Sequence, residues 1–185
     1  MKGRGVAARG DAVFPGFDQF WICEPEQLPD PATWDQSNGL VVTANHGLVI
    51  LTSEFMGDIK VTVDARDTRP LGADHPYGLA EGPIWHEIVE ASIRCSAGPL
   101  EVIPVYDVDD LDLAGLPRID TVGPGDYRLR VHARNRDLPA LDNNGLESST
   151  DEYLIVSWPQ ASRPPWLIRL TDTRGAETRY RLLPD

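Results

Sequence analysis

The chain has 185 residues, 41% of them apolar and 25% charged, a length and composition that argue for one globular domain and against wholesale disorder. A chain of this size buries roughly 70% of its unfolded surface, so its core needs neither a disulfide scaffold nor a structural metal. The 29 acids against 17 bases give a net charge of −12, and a field of that sign repels phosphate backbones and anionic lipid, which argues against direct nucleic-acid or membrane binding.

Residues 1–13 carry Lys2, Arg4, Arg9 and several glycines but no apolar stretch of signal-peptide length, and read as a flexible leader before a single domain over 14–185. From there, 16 glycines and 16 prolines punctuate the chain too often for long helices. Phe17–Cys23 and Gly47–Thr52 are short runs of β-branched and aromatic residues. Ile59, Val61, Val63 and Ala65 then alternate with Lys60, Thr62 and Asp64, the period of a half-buried strand. The same alternation sets Trp85, Val89, Ala91, Ile93 and Cys95 against His86, Glu90, Ser92 and Arg94. Leu100–Tyr106 follows as a further short strand. Gly123-Pro-Gly-Asp126 is turn chemistry. Tyr127, Leu129, Val131 and Ala133 alternate with Arg128, Arg130, His132 and Arg134, and Glu152–Trp158 and Trp166–Thr171 complete the set. About eight strands, with no amphipathic helix of more than two turns, predict an all-β fold: an antiparallel β-sandwich or flattened barrel with long loops at 66–83 and 137–151.

The motifs of catalysis are missing from the sequence. No GxSxG elbow, P-loop, GxGxxG or HExxH occurs, and His46, His75, His86 and His132 are scattered, so the expectation is a protein that is not an enzyme, with no catalytic residues and no cofactor. Only Cys23 and Cys95 are present, neither at zinc-binding spacing; both read as buried thiols of a cytoplasmic protein. The densest charge feature is Asp107, Asp109, Asp110 and Asp112. Alternating carboxylates suit Ca²⁺, but an EF-hand counted from Asp107 would need glycine where Asp112 stands and glutamate where Arg118 stands. The plainer reading is a solvated acidic loop that meets a basic protein partner, with Asp142, Glu147 and Asp151 as a second acidic group. Arg128, Arg130, His132, Arg134 and Arg136 share one strand face by parity, and are read as pairing across the sheet with acidic neighbours. His86, His132, Glu90 and Arg130 are placed on the exposed face. The tryptophans Trp21, Trp34, Trp85, Trp158 and Trp166 are read mainly as core, with Trp34 the one most exposed and a sugar-stacking platform as the alternative.

Taken together, several short motifs resemble the competence protein J-like family of small bacterial proteins, whose characterised type inhibits a DNA-entry nuclease. They are Phe17-Asp-Gln-Phe20, Trp34, Gly39, Gly47-Leu-Val-Ile-Leu51, Gly98-Pro-Leu-Glu-Val102, Pro124-Gly-Asp-Tyr127-Arg-Leu129 and Asp151-Glu-Tyr153-Leu-Ile155. The resemblance spans about residues 14–158, with 66–83 as an insertion and 159–185 as an extra tail. It implies a strand-rich inhibitor of a nuclease and offers no catalytic residues to carry over. Function is therefore expected to be acidic protein binding, of the nuclease-inhibitor or immunity type. The alternatives are a small-ligand or sugar-binding sandwich and a Ca²⁺-dependent module.

Overall fold

The period-two segments form strands in a computed structural model that describes residues 9–13, 17–30, 38–53, 59–70, 84–105, 116–137 and 151–181. In chain order these are β1 (Arg9–Val13), β2 (Gln19–Cys23), β3 (Val41–Ala44), β4 (Gly47–Leu51), β5 (Ile59–Ala65), β6 (Glu87–Cys95), β7 (Glu101–Pro104), β8 (Gly125–Arg134), β9 (Glu152–Pro159), β10 (Trp166–Leu170) and the helix α1 (Thr173–Arg181). Six strands build one sheet in the order β1-β5-β9-β8-β6-β10, and four build a second in the order β3-β4-β2-β7. Neither closes into a barrel, so the architecture is all-β and sandwich-like.

The inward parity of the large sheet is the one the sequence marks. Ile59, Val61, Val63, Ala65, Val89, Ala91, Ile93, Cys95, Tyr127, Leu129, Val131 and Ala133 are all buried and share one cluster with Phe20, Ile22, Leu48 and Ile50 of the small sheet. Phe20 meets Tyr153 edge-to-face across the two sheets, ring centroids 5.3 Å apart, a geometry aromatic pairs favour. Both thiols are buried, Cys95 within this cluster.

Four features depart from the sequence reading. Residues 9–13, within the expected leader, run antiparallel to β5. β3 pairs with β4 although Val41–Ala44 is too short to stand out. β5 and β9 are parallel in an otherwise antiparallel set: β9 returns antiparallel beside β8 and so lies parallel to β5 on its other side. The tail after Pro159 crosses the outer face of β8 and β6 and adds the expected strand β10 to the sheet edge, but it ends in a helix, α1, that the sequence reading does not predict.

That helix has poor intrinsic prospects, with nine residues including Gly175, shorter than an isolated helix needs. Its first turn is completed from outside. Asp172 acts as N-cap, accepting from Gly175 N at 2.7 Å. Asp137, just past β8, accepts from Thr173 N at 2.9 Å and Arg174 N at 3.0 Å. Two carboxylates at a helix N-terminus satisfy orphan donors and complement the dipole. Gly175 then packs against the loop before β3: a β-carbon on Gly39, whose φ is +75°, would sit 2.5 Å from Gly175 O.

Gly39→Ala combines a left-handed backbone with a backbone collision, so it should lower the urea midpoint by an amount equivalent to roughly 1–3 kcal/mol. An unchanged midpoint would mean that α1 does not pack here. Burial, reinforced by nearby carboxylates, pushes the Cys23 thiol up to about 12 and the Cys95 thiol up to about 11. Alkylation of either under native conditions should therefore be at least ~100-fold slower than in unfolded protein, as followed by mass spectrometry.

Candidate functional site

Of the carboxylates singled out from the sequence, Asp107, Asp109, Asp110, Asp112, Asp142 and Glu147 lie outside the described residues. Asp151 is described and fully buried. Its oxygens accept from Ser53 N at 2.8 Å, Ser53 Oγ at 2.7 Å and Tyr153 Oη at 3.0 Å. This aspartate ties β9 to the segment after β4 and offers nothing to a partner. Trp34 likewise falls outside the described residues.

The second strand face differs from its sequence reading. Glu90, Arg128, Arg130 and His132 are buried, not exposed, and His86 is half-buried. Their cover is the stretch that carries the chain from β9 to β10. Arg128 Nη1 donates to Arg163 O at 3.0 Å and Nη2 to Pro164 O at 3.1 Å, while Ser92 Oγ accepts from Arg163 N at 3.1 Å. Under that strap, Arg128 Nε and Arg130 Nε each reach one oxygen of Glu90, at 2.9 and 2.8 Å. The Arg130 guanidinium also lies 5.8 Å from the centre of the Trp166 ring. Arg134 pairs with Glu152 at 2.5 Å. Arg128, Arg130 and Arg134 thus pair across the sheet as their parity suggested, the first two in the interior and Arg134 half-buried. Glu90 is already held by two guanidiniums, so this face locks strands together and is closed to an anionic ligand.

His132 sits at the centre of this layer. Its Nδ1 is 3.1 Å from Leu154 O, and because a carbonyl only accepts, the neutral ring carries its proton there, leaving Nε2 a bare acceptor. Nε2 has no hydrogen-bond partner, nor do Trp85 Nε1 and Arg134 Nε beside it. The Trp85 ring stacks obliquely on His132 at 5.5 Å, so Trp85 belongs to the outer layer and not to the core that its parity predicts. Burial, with Arg130 adding repulsion, lowers His132 to about 4. The ring is neutral in ordinary buffers and is no general acid there.

A second charged cluster closes one end of the sandwich. Arg136 and Asp172 form an ion pair with no exposed surface, at 2.6 Å. Arg136 Nη1 also donates to Gly39 O at 3.2 Å and Leu51 O at 3.1 Å. Glu87 accepts from Asp172 N at 3.0 Å and from Arg179 Nη1 at 3.1 Å. Burial and the nearby Asp172 carboxylate raise Glu87 to about 7 against the pull of Arg179.

At the opposite end lie residues 116–124, which lead into β8, and here the surface opens. Pro117, Arg118, Asp120, Thr121 and Gly123 line a cleft of about 450 Å³. The Asp120 carboxylate, itself unexposed, holds Arg118 Nη2 at 2.5 Å and accepts from Leu100 N at 2.8 Å. Tyr127 Oη donates to Gly123 O at 2.7 Å and accepts from Val122 N at 3.2 Å. Next to this loop, Glu24 accepts from the N–H groups of Ser96, Ala97 and Gly98. Burial alone would raise that carboxyl, but the three donors hold it below its ordinary value. The sequence reading treated Gly123–Asp126 only as a turn. Tyr127 directly after it, on the inward parity, was the signal that the turn is pinned from inside. Among the described residues, no group of three or more His, Cys, Asp and Glu is placed to hold a metal. Set against protein-family models, curated proteins and solved structures, the chain matches none.

The two displaced groups act in opposite directions on stability. Folding depresses His132, so its contribution is complete above pH 6.5 and is lost as pH falls through about 4. Folding raises Glu87, so its contribution is complete below pH 4.5 and is lost as pH rises through about 7. Each approaches a slope of one proton, about 1.4 kcal/mol per pH unit. His132→Gln should flatten the acid side of a urea-midpoint profile between pH 6.5 and 4, and Glu87→Gln should raise the profile at pH 7.5 relative to pH 4.5. Parallel profiles for wild type and both variants would contradict these assignments.

Proposed function

We propose that the protein is an acidic protein-binding module whose partner presents a cationic surface, with an inhibitor or immunity-type factor acting on a nuclease as its specific form. One observation carries the reading: several arginines of the described residues are committed to carboxylates within the fold, Arg128, Arg130 and Arg136 of them buried, while the densest carboxylates stand in Asp107–Asp112 with no base among them. Arg128 and Arg130 are taken by Glu90, Arg134 by Glu152, Arg136 by Asp172, Arg179 by Glu87 and Arg118 by Asp120. These six arginines meet five carboxylates, Glu90 serving two of them, so the acidic excess behind the net −12 belongs to groups outside these pairs.

A nuclease must hold DNA through cationic side chains, and an acidic surface competes for them by the same Coulombic attraction. The resemblance to the competence protein J-like family points to the same partner class. No helix of the described residues is long and apolar enough to cross a membrane, and the reading places the protein in the cytoplasm beside its target. The binding residues are Asp107, Asp109, Asp110 and Asp112, with Asp142 and Glu147 in support. Asp151 leaves that set because its carboxylate is occupied internally.

The test captures the partner from the native host and measures association at 0.1 M and 1 M salt, where the Debye length is ~10 Å and ~3 Å. Wild type should associate at least ~10-fold more slowly at the higher salt. Replacing Asp107, Asp109, Asp110 and Asp112 together by Asn should remove most of that dependence through the on-rate. DNA hydrolysis by the captured protein should fall when wild type is added. Equal on-rates for both proteins at both salts would end the reading.

A further inference from the structure

The turn before β3 carries an Asn–Gly pair, Asn38–Gly39, and each member is fixed there by a separate requirement. Leu40 O accepts across the ladder from Leu51 N, so the alternation of antiparallel pairing turns the N–H and C=O of Val41 away from β4, toward the edge of the small sheet. The Asn38 carboxamide meets both groups. Its Oδ1 accepts from Val41 N at 2.7 Å, and its Nδ2 donates to Val41 O at 2.5 Å. Oδ1 also accepts from Leu40 N at 2.9 Å. One planar group with a donor and an acceptor thus stands in for a neighbouring strand, and a carboxylate lacks the donor. Gly39 is required for its own reason, a φ of +75° and the close wall of Gly175 O. Together the two demands set an asparagine before a glycine, where no β-carbon shields the backbone N–H beside the carboxamide carbon.

We propose that Asn38–Gly39 is a deamidation site that docked α1 keeps closed, so that release of the helix exposes the pair to irreversible conversion. The inference is independent of the partner proposed above. In the reaction, Gly39 N gives up its proton and attacks Asn38 Cγ; the Cγ–Nδ2 bond breaks, and ammonia leaves with that proton. Water then opens the resulting succinimide on either side of its nitrogen. One opening gives aspartate with the ordinary backbone, the other isoaspartate with an extra methylene in the main chain. Nothing is oxidised or reduced, and solvent water is the only co-reactant.

The folded chain holds the pair unreactive. The carboxamide reaches Gly39 N only by leaving all three of its hydrogen bonds, and Asn38 is 4% exposed. Arg136 Nη1 holds Gly39 O at 3.2 Å, and Arg179 Nη1, on α1, holds Asn38 O at 3.0 Å. Either product breaks the junction. Aspartate sets two acceptor oxygens against each other at Val41 O, and isoaspartate displaces Gly39 from Arg136 and Gly175. A helix that comes loose while the pair reacts cannot dock again as before.

The experiment incubates the full chain, folded or in urea, at one pH and temperature and follows Asn38 by peptide mapping. Asn144–Gly145, the other such pair in the sequence, is resolved separately. Conversion of Asn38 should be at least ~100-fold slower in the folded chain, since it must await local opening. Asp137→Ala removes a cap of α1 without touching the pair and should speed conversion in the folded chain by ~5-fold. Ile93→Val weakens the core at the far end of β6 by a similar amount and should leave the rate unchanged. Chain converted at Asn38 alone, separated by ion exchange and refolded, should have a lower urea midpoint than unconverted chain. Its amides over 173–181 should exchange at least ~10-fold faster. Equal rates in folded and unfolded chain overturn the proposal. So does any result in which Asp137→Ala fails to exceed Ile93→Val, because α1 is then not the gate. An unaltered midpoint or unaltered α1 exchange in the converted chain overturns it as well.

Discussion

One buried ion pair joins most of this molecule. Arg136 leaves the end of β8 in the large sheet, and its guanidinium reaches Asp172, the N-cap of α1, together with the carbonyls of Gly39 and Leu51 that flank the small sheet. Large sheet, small sheet and helix meet at one planar group with five donors. A lysine offers no such fork and could not hold three acceptors at these angles. Neither partner has exposed surface, so removing either one strands the other charge in a low-dielectric interior, at a cost of about 3–5 kcal/mol. The tail beyond Pro159 is therefore structural: without Asp172, Arg136 loses its hydrogen-bonded counter-ion at the junction of the two sheets.

The same logic is repeated along the outer face of the large sheet. A polar strand face next to water needs no partners. Once the β9–β10 crossover lies over it, each guanidinium must find a carboxylate, and Glu90 and Glu152 sit on neighbouring strands directly opposite Arg130 and Arg134. The chain answers burial with shared carboxylates, Glu90 serving both Arg128 and Arg130, not with a second apolar layer. Val156 and Trp158 form the only hydrophobic cluster of described residues on that side. Charge neutralised in this way contributes order and register but little outward field, so the electrostatic character seen by a partner comes from other segments.

These features explain how far the sequence could be read. Inward parity was legible in β5, β6 and β8 because a core face is apolar whatever covers its opposite side. The outward parity was misread for a definite reason: Glu90, Arg128, Arg130 and His132 have the composition of a solvated face, and only the path of residues 160–165, set by long-range topology, makes them interior. α1 was invisible for a similar reason. Its caps include Asp137, 36 residues from Thr173 in sequence, and no local pattern encodes that contact. Of the acidic set, Asp151 carried no signal of its fate, since a carboxylate that caps Ser53 and one that faces a partner are the same residue in a string. Cys23 and Cys95, by contrast, followed parity and were placed correctly inside.

The two ends of the sandwich have different work to do, and their construction differs accordingly. At the Arg136 end Arg136 pairs with Asp172 and Arg179 with Glu87, and α1 covers the opening, with Gly39 and Gly175 in backbone contact. Such an end gains stability from being shut. At the Leu116–Gly125 end the backbone is just as firmly held, by Tyr127, Asp120 and Ser157, yet no element caps it among the described residues, an apolar side chain faces outward, and one hydroxyl is left without a partner. The difference lies in the covering element: a nine-residue helix capped by Asp172 and Asp137 shuts one end, whereas at the other the described residues hold the loop from within and leave Val122 to solvent.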